Sequence, residues 1–237
     1  MTEEDLGLVL QPGGDHYRAY VGPPQDYDLV AAMAFGLLCT LGLRQQHRVL
    51  DLGCGSLRVG RLLIPYLNRG GYTGLDPHAW LVEQGIQREV GEDQVRIKQP
   101  HFVHAEDATS LLQAGETFDY VLAQSIFSHC GPDLLEQWLR QSWQLLSEAG
   151  ALVATYVAGN QNCVQEGWIY PDCVTYTEDT IIRLGSAHGF RCIPLNWRHP
   201  RQRWMLFAKP GFDIGWLGQD LSWNTAFDHF QGRMQTA

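Results

Sequence analysis

Short apolar runs alternate with longer amphipathic ones along most of this 237-residue chain. Arg48 to Leu52 has the length and β-branched character of a buried strand, and Leu57 to Leu67 then spaces its apolar residues as a helix does. The alternation recurs. Tyr72 to Asp76 reads as a second strand, Ala79 to Gly91 as a helix, Phe102 to Ala105 as a third strand and Phe118 to Ala123 as a fourth. Gly131-Pro132-Asp133 opens a helix to about Glu148, with Pro and Asp suited to its first turn and Gly150 to its end. Ala151 to Val157 is the fifth strand, and Thr177 to Thr180 opens a helix that ends near Gly189. Phe190 to Leu195 and Trp204 to Ala208 close the pattern as an antiparallel pair, with the segment around Asn196 to Arg203 as its hairpin turn. This order predicts an α/β fold: a doubly wound, mostly parallel seven-stranded sheet with helices on both faces and an antiparallel C-terminal strand pair. Ligands of such sheets bind at the carboxyl ends of the strands.

The first strand runs into Asp51-Leu52-Gly53-Cys54-Gly55. Glycines permit positive φ and, lacking a Cβ, let a ligand lie against the backbone. Nicotinamide and flavin enzymes use a similar loop, but a carboxylate two residues before the first glycine repels a pyrophosphate, and the third glycine of G-x-G-x-x-G is here Arg58. A cationic cofactor fits better. S-adenosylmethionine (SAM) carries an ammonium and a sulfonium, and Asp76, at the end of the second strand, stands where a carboxylate takes ribose hydroxyls.

On these residues the chain resembles the class I SAM-dependent methyltransferases, over roughly residues 48 to 210. The family's acidic-x-G-x-G motif is matched by Asp51, Gly53 and Gly55, its ribose acid by Asp76, and the acid that takes the adenine amino group by Asp107. The resemblance implies SAM as cofactor and S-adenosylhomocysteine (SAH) as product. It places Cys54, Arg58, Pro77, Ala108, Gln124 and Ser125 beside the matched residues in the cofactor site, with Arg58 meeting the cofactor carboxylate. The chain departs from the family at the next glycine of the loop, replaced by Leu57, which is expected to tighten the start of the following helix.

Charge and cysteine content exclude other classes. A net charge of −9 argues against a phosphate-tracking surface, so no nucleic-acid partner is expected. No stretch has the apolar length of a membrane span, and the acidic start Met1-Thr2-Glu3-Glu4-Asp5 is unlike a secretory signal, so the expected location is cytoplasmic. Six cysteines without a C-x-x-C suggest free thiols, and Asp119 without an Asp-Asn partner predicts metal independence.

One elaborated domain is expected, with residues 1–47 as an N-terminal helical lid, 158–176 as an insert in the core and 211–237 as a tail. Substrate choice belongs to these three segments. Leu29 to Leu43 suits a helix packed on the sheet, and Tyr20 either covers the cofactor or anchors the lid. Trp168 and Tyr170 in the insert, and Trp216 and Trp223 in the tail, either wall a pocket for a planar or sugar-like molecule or form a small cap core or a homodimer contact. His129, directly after the fourth strand, is the candidate general base, with Phe127 beside it as a substrate contact; His199 and Glu166 are reserve bases. The segment Gln124-Ser125-Ile126-Phe127 lacks the (D/N)PP(Y/F) run of enzymes that methylate amino groups of adenine, cytosine or glutamine. The expected function is methylation of a small molecule, free or carrier-bound, at a hydroxyl. The alternatives are N- or C-methylation and a SAM-binding partner protein without turnover.

Overall fold

A computed structural model describes residues 6–215; the tail residues Trp216 and Trp223 lie outside them. A single-turn helix α1 (Tyr17–Tyr20) and a 3-10 turn (Pro24–Asp26) lead into α2 (Tyr27–Thr40). Next come β1 (Val49–Leu52), α3 (Gly60–Tyr66), β2 (Tyr72–Leu75), α4 (Ala79–Gly85), α5 (Glu92–Lys98), β3 (His101–Val103) and α6 (Thr109–Gln113). The chain continues through β4 (Phe118–Ala123), α7 (Pro132–Leu145), β5 (Leu146–Ala158), β6 (Thr175–Tyr176), α8 (Glu178–Ala187), β7 (Arg191–Leu195) and β8 (Arg203–Ala208).

The sheet order is β3-β2-β1-β4-β5-β8-β7, parallel through β5, with β8 antiparallel to both its neighbours. The described strands number eight rather than the seven expected, because Thr175 and Tyr176 of the insert pair in parallel with Val157 and Ala158. Two residues are too few to carry a period.

Chain direction across the sheet reverses between β1 and β4, so the crevice at their carboxyl ends is the topological switch point. Both strands are apolar on both faces. Leu50, Leu52, Val121 and Ala123 enter one core cluster, while Val49, Tyr120 and Leu122 enter the other. This burial on two sides is why they read as continuous apolar runs.

Helix α7 stops at Leu145, short of the expected Glu148, because Leu146 already pairs with Phe118. Gly150 therefore sits within β5 rather than at a helix end, and a Cβ there would lie 3.0 Å from the Asp119 carbonyl oxygen and 3.1 Å from that of Phe118. Thr177 caps α8 as expected, its Oγ1 accepting the Thr180 N–H at 3.3 Å.

Candidate active site

The turn after β1 is built on left-handed backbone. Gly53 has φ +63° and Gly55 φ +50°, and a Cβ would fall 2.0 Å from Ile126 Cδ1 at the first and 2.6 Å from Val21 Cγ1 at the second. Neither position admits a side chain without displacing a neighbour. Leu57, at the family's next glycine, also adopts φ +60°, an unfavourable conformation for a bulky residue, while its side chain is wholly buried. It does not tighten the helix start, since α3 begins only at Gly60.

Asp51 projects from β1 into this region almost fully buried, and Tyr72 of β2 donates its hydroxyl to Asp51 Oδ2 at 2.8 Å. Burial pushes the Asp51 carboxyl up to about 7 despite the opposing Tyr72 hydrogen bond and Arg58 charge. Asp76 accepts the Gly55 N–H at 2.9 Å and the His78 N–H at 2.8 Å, tying the end of β2 to the glycine turn across Pro77. Asp107 is turned onto the start of α6, accepting from the Thr109 N–H at 3.0 Å and the Thr109 hydroxyl at 2.8 Å. The buried Ala108 beside it donates its N–H to Gln141 Oε1 at 3.2 Å.

Val21, Asp51, Gly53, Cys54, Arg58 and Gln124 line a cavity of about 20 Å³, room for one water molecule. Buried Arg58 crosses it, donating from its guanidinium to Gln124 Oε1, and desolvation lowers its pKa to about 10. The chemistry of the lining fits a SAM amino-acid end: a buried carboxylate for the ammonium, a guanidinium for the carboxylate and a turn without side chains against which the ligand lies. Asp76 stands at the adjoining strand end, the side expected for the ribose.

Beyond the cavity, Gln124 donates from Nε2 to Ser125 Oγ at 2.5 Å. Ser125 has φ +61° and its N–H donates to Thr155 Oγ1 at 2.7 Å, which holds the strained residue. Four aromatic side chains from three segments meet nearby. Tyr170 packs against both Tyr20 (5.3 Å between ring centres) and His129 (5.2 Å), and Trp168 lies against His129 at 5.3 Å. The Tyr170 hydroxyl donates to the Tyr20 carbonyl, while the Tyr20 hydroxyl lies 3.1 Å from His78 Nε2. Phe127 is not part of this wall: it is fully buried against Phe207 in the core, so it offers no surface to a substrate.

His129 Nδ1 lies 2.7 Å from the Asp172 carbonyl oxygen. A carbonyl only accepts, so Nδ1 carries the proton and Nε2 is the basic nitrogen. Burial holds the His129 pKa below its ordinary value, against the upward pull of backbone hydrogen bonds to Asp172 and Ile169.

Residues 50–152 match the family model of the methyltransferase domain. They contain the acidic-glycine turn, Asp76 and β4. The chain carries a methyltransferase domain over these residues. Its fold is similar to that of magnesium protoporphyrin IX methyltransferase from Synechocystis PCC 6803, solved with bound SAM (TM-score 0.58, 17% identity, 84% of this chain and 88% of that one). It is also similar to 1,6-didemethyltoxoflavin-N1-methyltransferase from Burkholderia thailandensis, solved with its substrate and SAH (TM-score 0.56, 19% identity, 79% and 78%). A SAM-dependent methyltransferase from Leishmania major gives a TM-score of 0.61 at 15% identity, over 86% of this chain and 81% of that one.

Several residues around the site carry no sequence signal. Tyr72 was legible only as a strand residue, yet it is the partner of Asp51. Buried Arg18 and Glu89 form an ion pair at 2.6 Å, and Arg61 joins Glu89 at 3.1 Å, together fastening α1 and hence Val21 over the glycine turn. Their spacing of 71 residues follows no motif.

Proposed function

We propose that this methyltransferase methylates a hydroxyl of a small ring-bearing molecule, with His129 as general base. The observation that carries the reading is the tautomer of His129: its basic Nε2 belongs to a ring that lies against the edge of the stacked pair Trp168 and Tyr170, the aromatic surface on which an acceptor ring would pack. Two structurally similar enzymes are named for planar acceptors, a porphyrin and a toxoflavin precursor, which supports a planar small molecule here.

Bound SAM supplies an electrophilic methyl group on a sulfonium. The chain's own residues do the rest. Asp51 and Arg58 hold the amino-acid end, Asp76 the ribose and Asp107 with Ala108 the adenine. Tyr20, Trp168 and Tyr170 orient the acceptor so that its oxygen lies in line with the methyl–sulfur bond. His129 Nε2 accepts the hydroxyl proton as the oxygen–carbon bond forms. No helix among the described residues is long and apolar enough to cross a membrane.

The test is a screen of phenols, amines and sugars with methyl-labelled SAM, followed by H129A on the best acceptor. A hydroxyl acceptor whose kcat falls about 10²–10⁴-fold in H129A, with SAH affinity unchanged, supports the proposal. Turnover confined to amines and indifferent to H129A favours the second reading, N-methylation, to which the N1-methyltransferase similarity points. Binding of SAH without turnover of any acceptor favours the partner-protein alternative.

A further inference from the structure

We infer that His199, on the hairpin between β7 and β8, is a cofactor-recognition residue: its Nε2–H joins Arg58 and Gln124 in taking the carboxylate of the cofactor's amino-acid end. The inference rests on SAM as the cofactor and adds a residue to its site that lies far along the chain from the glycine turn.

The proton position on His199 follows from its partners. Its Nδ1 accepts the backbone N–H of Arg201 at 3.2 Å and of Gln202 at 3.0 Å, so the ring's proton is on Nε2. Nε2 lies 3.4 Å from Gln124 Nε2. Two N–H groups then face one another. Turning the Gln124 amide does not resolve this, because its single oxygen already accepts from Arg58. Two N–H donors therefore meet beside an oxygen that Arg58 has already taken, an arrangement that an added carboxylate would satisfy.

The surroundings are rich in donors as well. The amide nitrogen of Gln202 is spent on Ser125 Oγ at 3.0 Å and Ser128 Oγ at 3.3 Å, its buried Oε1 meets no donor, and Gln124 Nε2 also uses Ser125 Oγ. The nearby Asp26 carboxylate is taken by Arg201. Asp51, which lines the same cavity as Arg58 and Gln124, is held by Tyr72. Donors and a carboxylate around one cavity match the two charged groups of an α-amino acid zwitterion.

His199 cannot exchange this role for that of a base at neutral pH. Its acceptor nitrogen is occupied by two backbone N–H groups. Burial, then the charges of Arg58 and Arg201, lower its pKa to about 3 against the opposing charge of Asp26.

The test titrates the full chain calorimetrically with SAH and with 5′-methylthioadenosine, which lacks the amino-acid end, for wild type, H199F and H199Q. H199F is expected to weaken SAH about tenfold or more and to leave 5′-methylthioadenosine unchanged. H199Q, whose amide N–H reaches the same position, is expected to recover most of the affinity. Equal SAH affinity in wild type and H199F overturns the inference and assigns the donors to a carboxylate of the acceptor. Equal loss of both ligands in H199F also overturns it, because the role is then structural. Failure of wild type itself to bind SAH removes the cofactor reading on which the inference stands.

Discussion

His129 and His199 are held in opposite tautomers by the backbone. The Asp172 carbonyl fixes the His129 proton on Nδ1, whereas the N–H groups of Arg201 and Gln202 fix the His199 proton on Nε2. One imidazole thus keeps a basic nitrogen beside Trp168 and Tyr170, and the other keeps a donor beside Gln124, which lines the cavity. Two histidines that the sequence offers as alternative bases are separated by which backbone group each meets.

Asp51 makes stability and binding respond oppositely to pH. Its folded-state pKa of about 7 stands above the ordinary aspartate value of 3.8, so the folded state holds the proton more tightly. Its contribution to stability is full below the lower value and is lost as the pH rises to about 7. SAH binding changes the other way, because the ammonium needs the ionised carboxylate. SAH affinity is expected to fall as the pH drops from 8 to 6, by titration calorimetry. Asp51→Asn keeps an acceptor for Tyr72, so it is expected to raise the Tm of the free protein at pH 8 while weakening SAH and flattening its pH dependence.

Leu57 sets a backbone cost against a packing gain. Relieving its left-handed φ is worth about 1–2 kcal/mol, whereas truncating a wholly buried Leu costs about 2–5 kcal/mol. Packing wins on these magnitudes. Leu57→Gly, which restores the family's glycine, is expected to lower stability in denaturant titration; a variant more stable than wild type would show that the strain dominates.

Glu89 fastens the N-terminal segment. It accepts from Tyr17 at 2.8 Å, pairs with Arg18 at 2.6 Å and with Arg61 at 3.1 Å, and is itself almost fully buried. Glu89→Ala leaves the buried Arg18 charge without its close partner and is expected to cost about 3–5 kcal/mol. Because Val21 packs on Gly55, SAH affinity is expected to fall with it; a stable variant with unchanged SAH affinity would detach this network from the cofactor site.

Legibility in the sequence followed burial. β1, β4 and the β7–β8 pair are apolar runs flanked by turn residues, and their bounds lie within about a residue of the expected ones. Helix α5 went unmarked because none of its residues is buried, so it has no apolar stripe to display. The glycine turn and Asp76 were legible because positive φ and strand-end acids constrain residue type. The aromatic cluster proposed to meet the substrate was legible only in part: Tyr20, Trp168, Tyr170 and His129 do converge, but Phe127, close to His129 in sequence, turns into the core. Arg18 with Glu89, and His199 with Gln124, join residues more than 70 positions apart, and no local period encodes such pairs.

The most direct test of the central claim is calorimetric titration of the purified protein with SAH, with NAD as the control ligand and Asp76→Ala as the control variant. SAH is expected to bind at micromolar affinity or tighter, about tenfold or more weakly in Asp76→Ala, and NAD is expected not to bind. Binding of NAD, or no binding of SAH, would contradict the assignment of Asp51, the glycine turn and Asp76 to a SAM site.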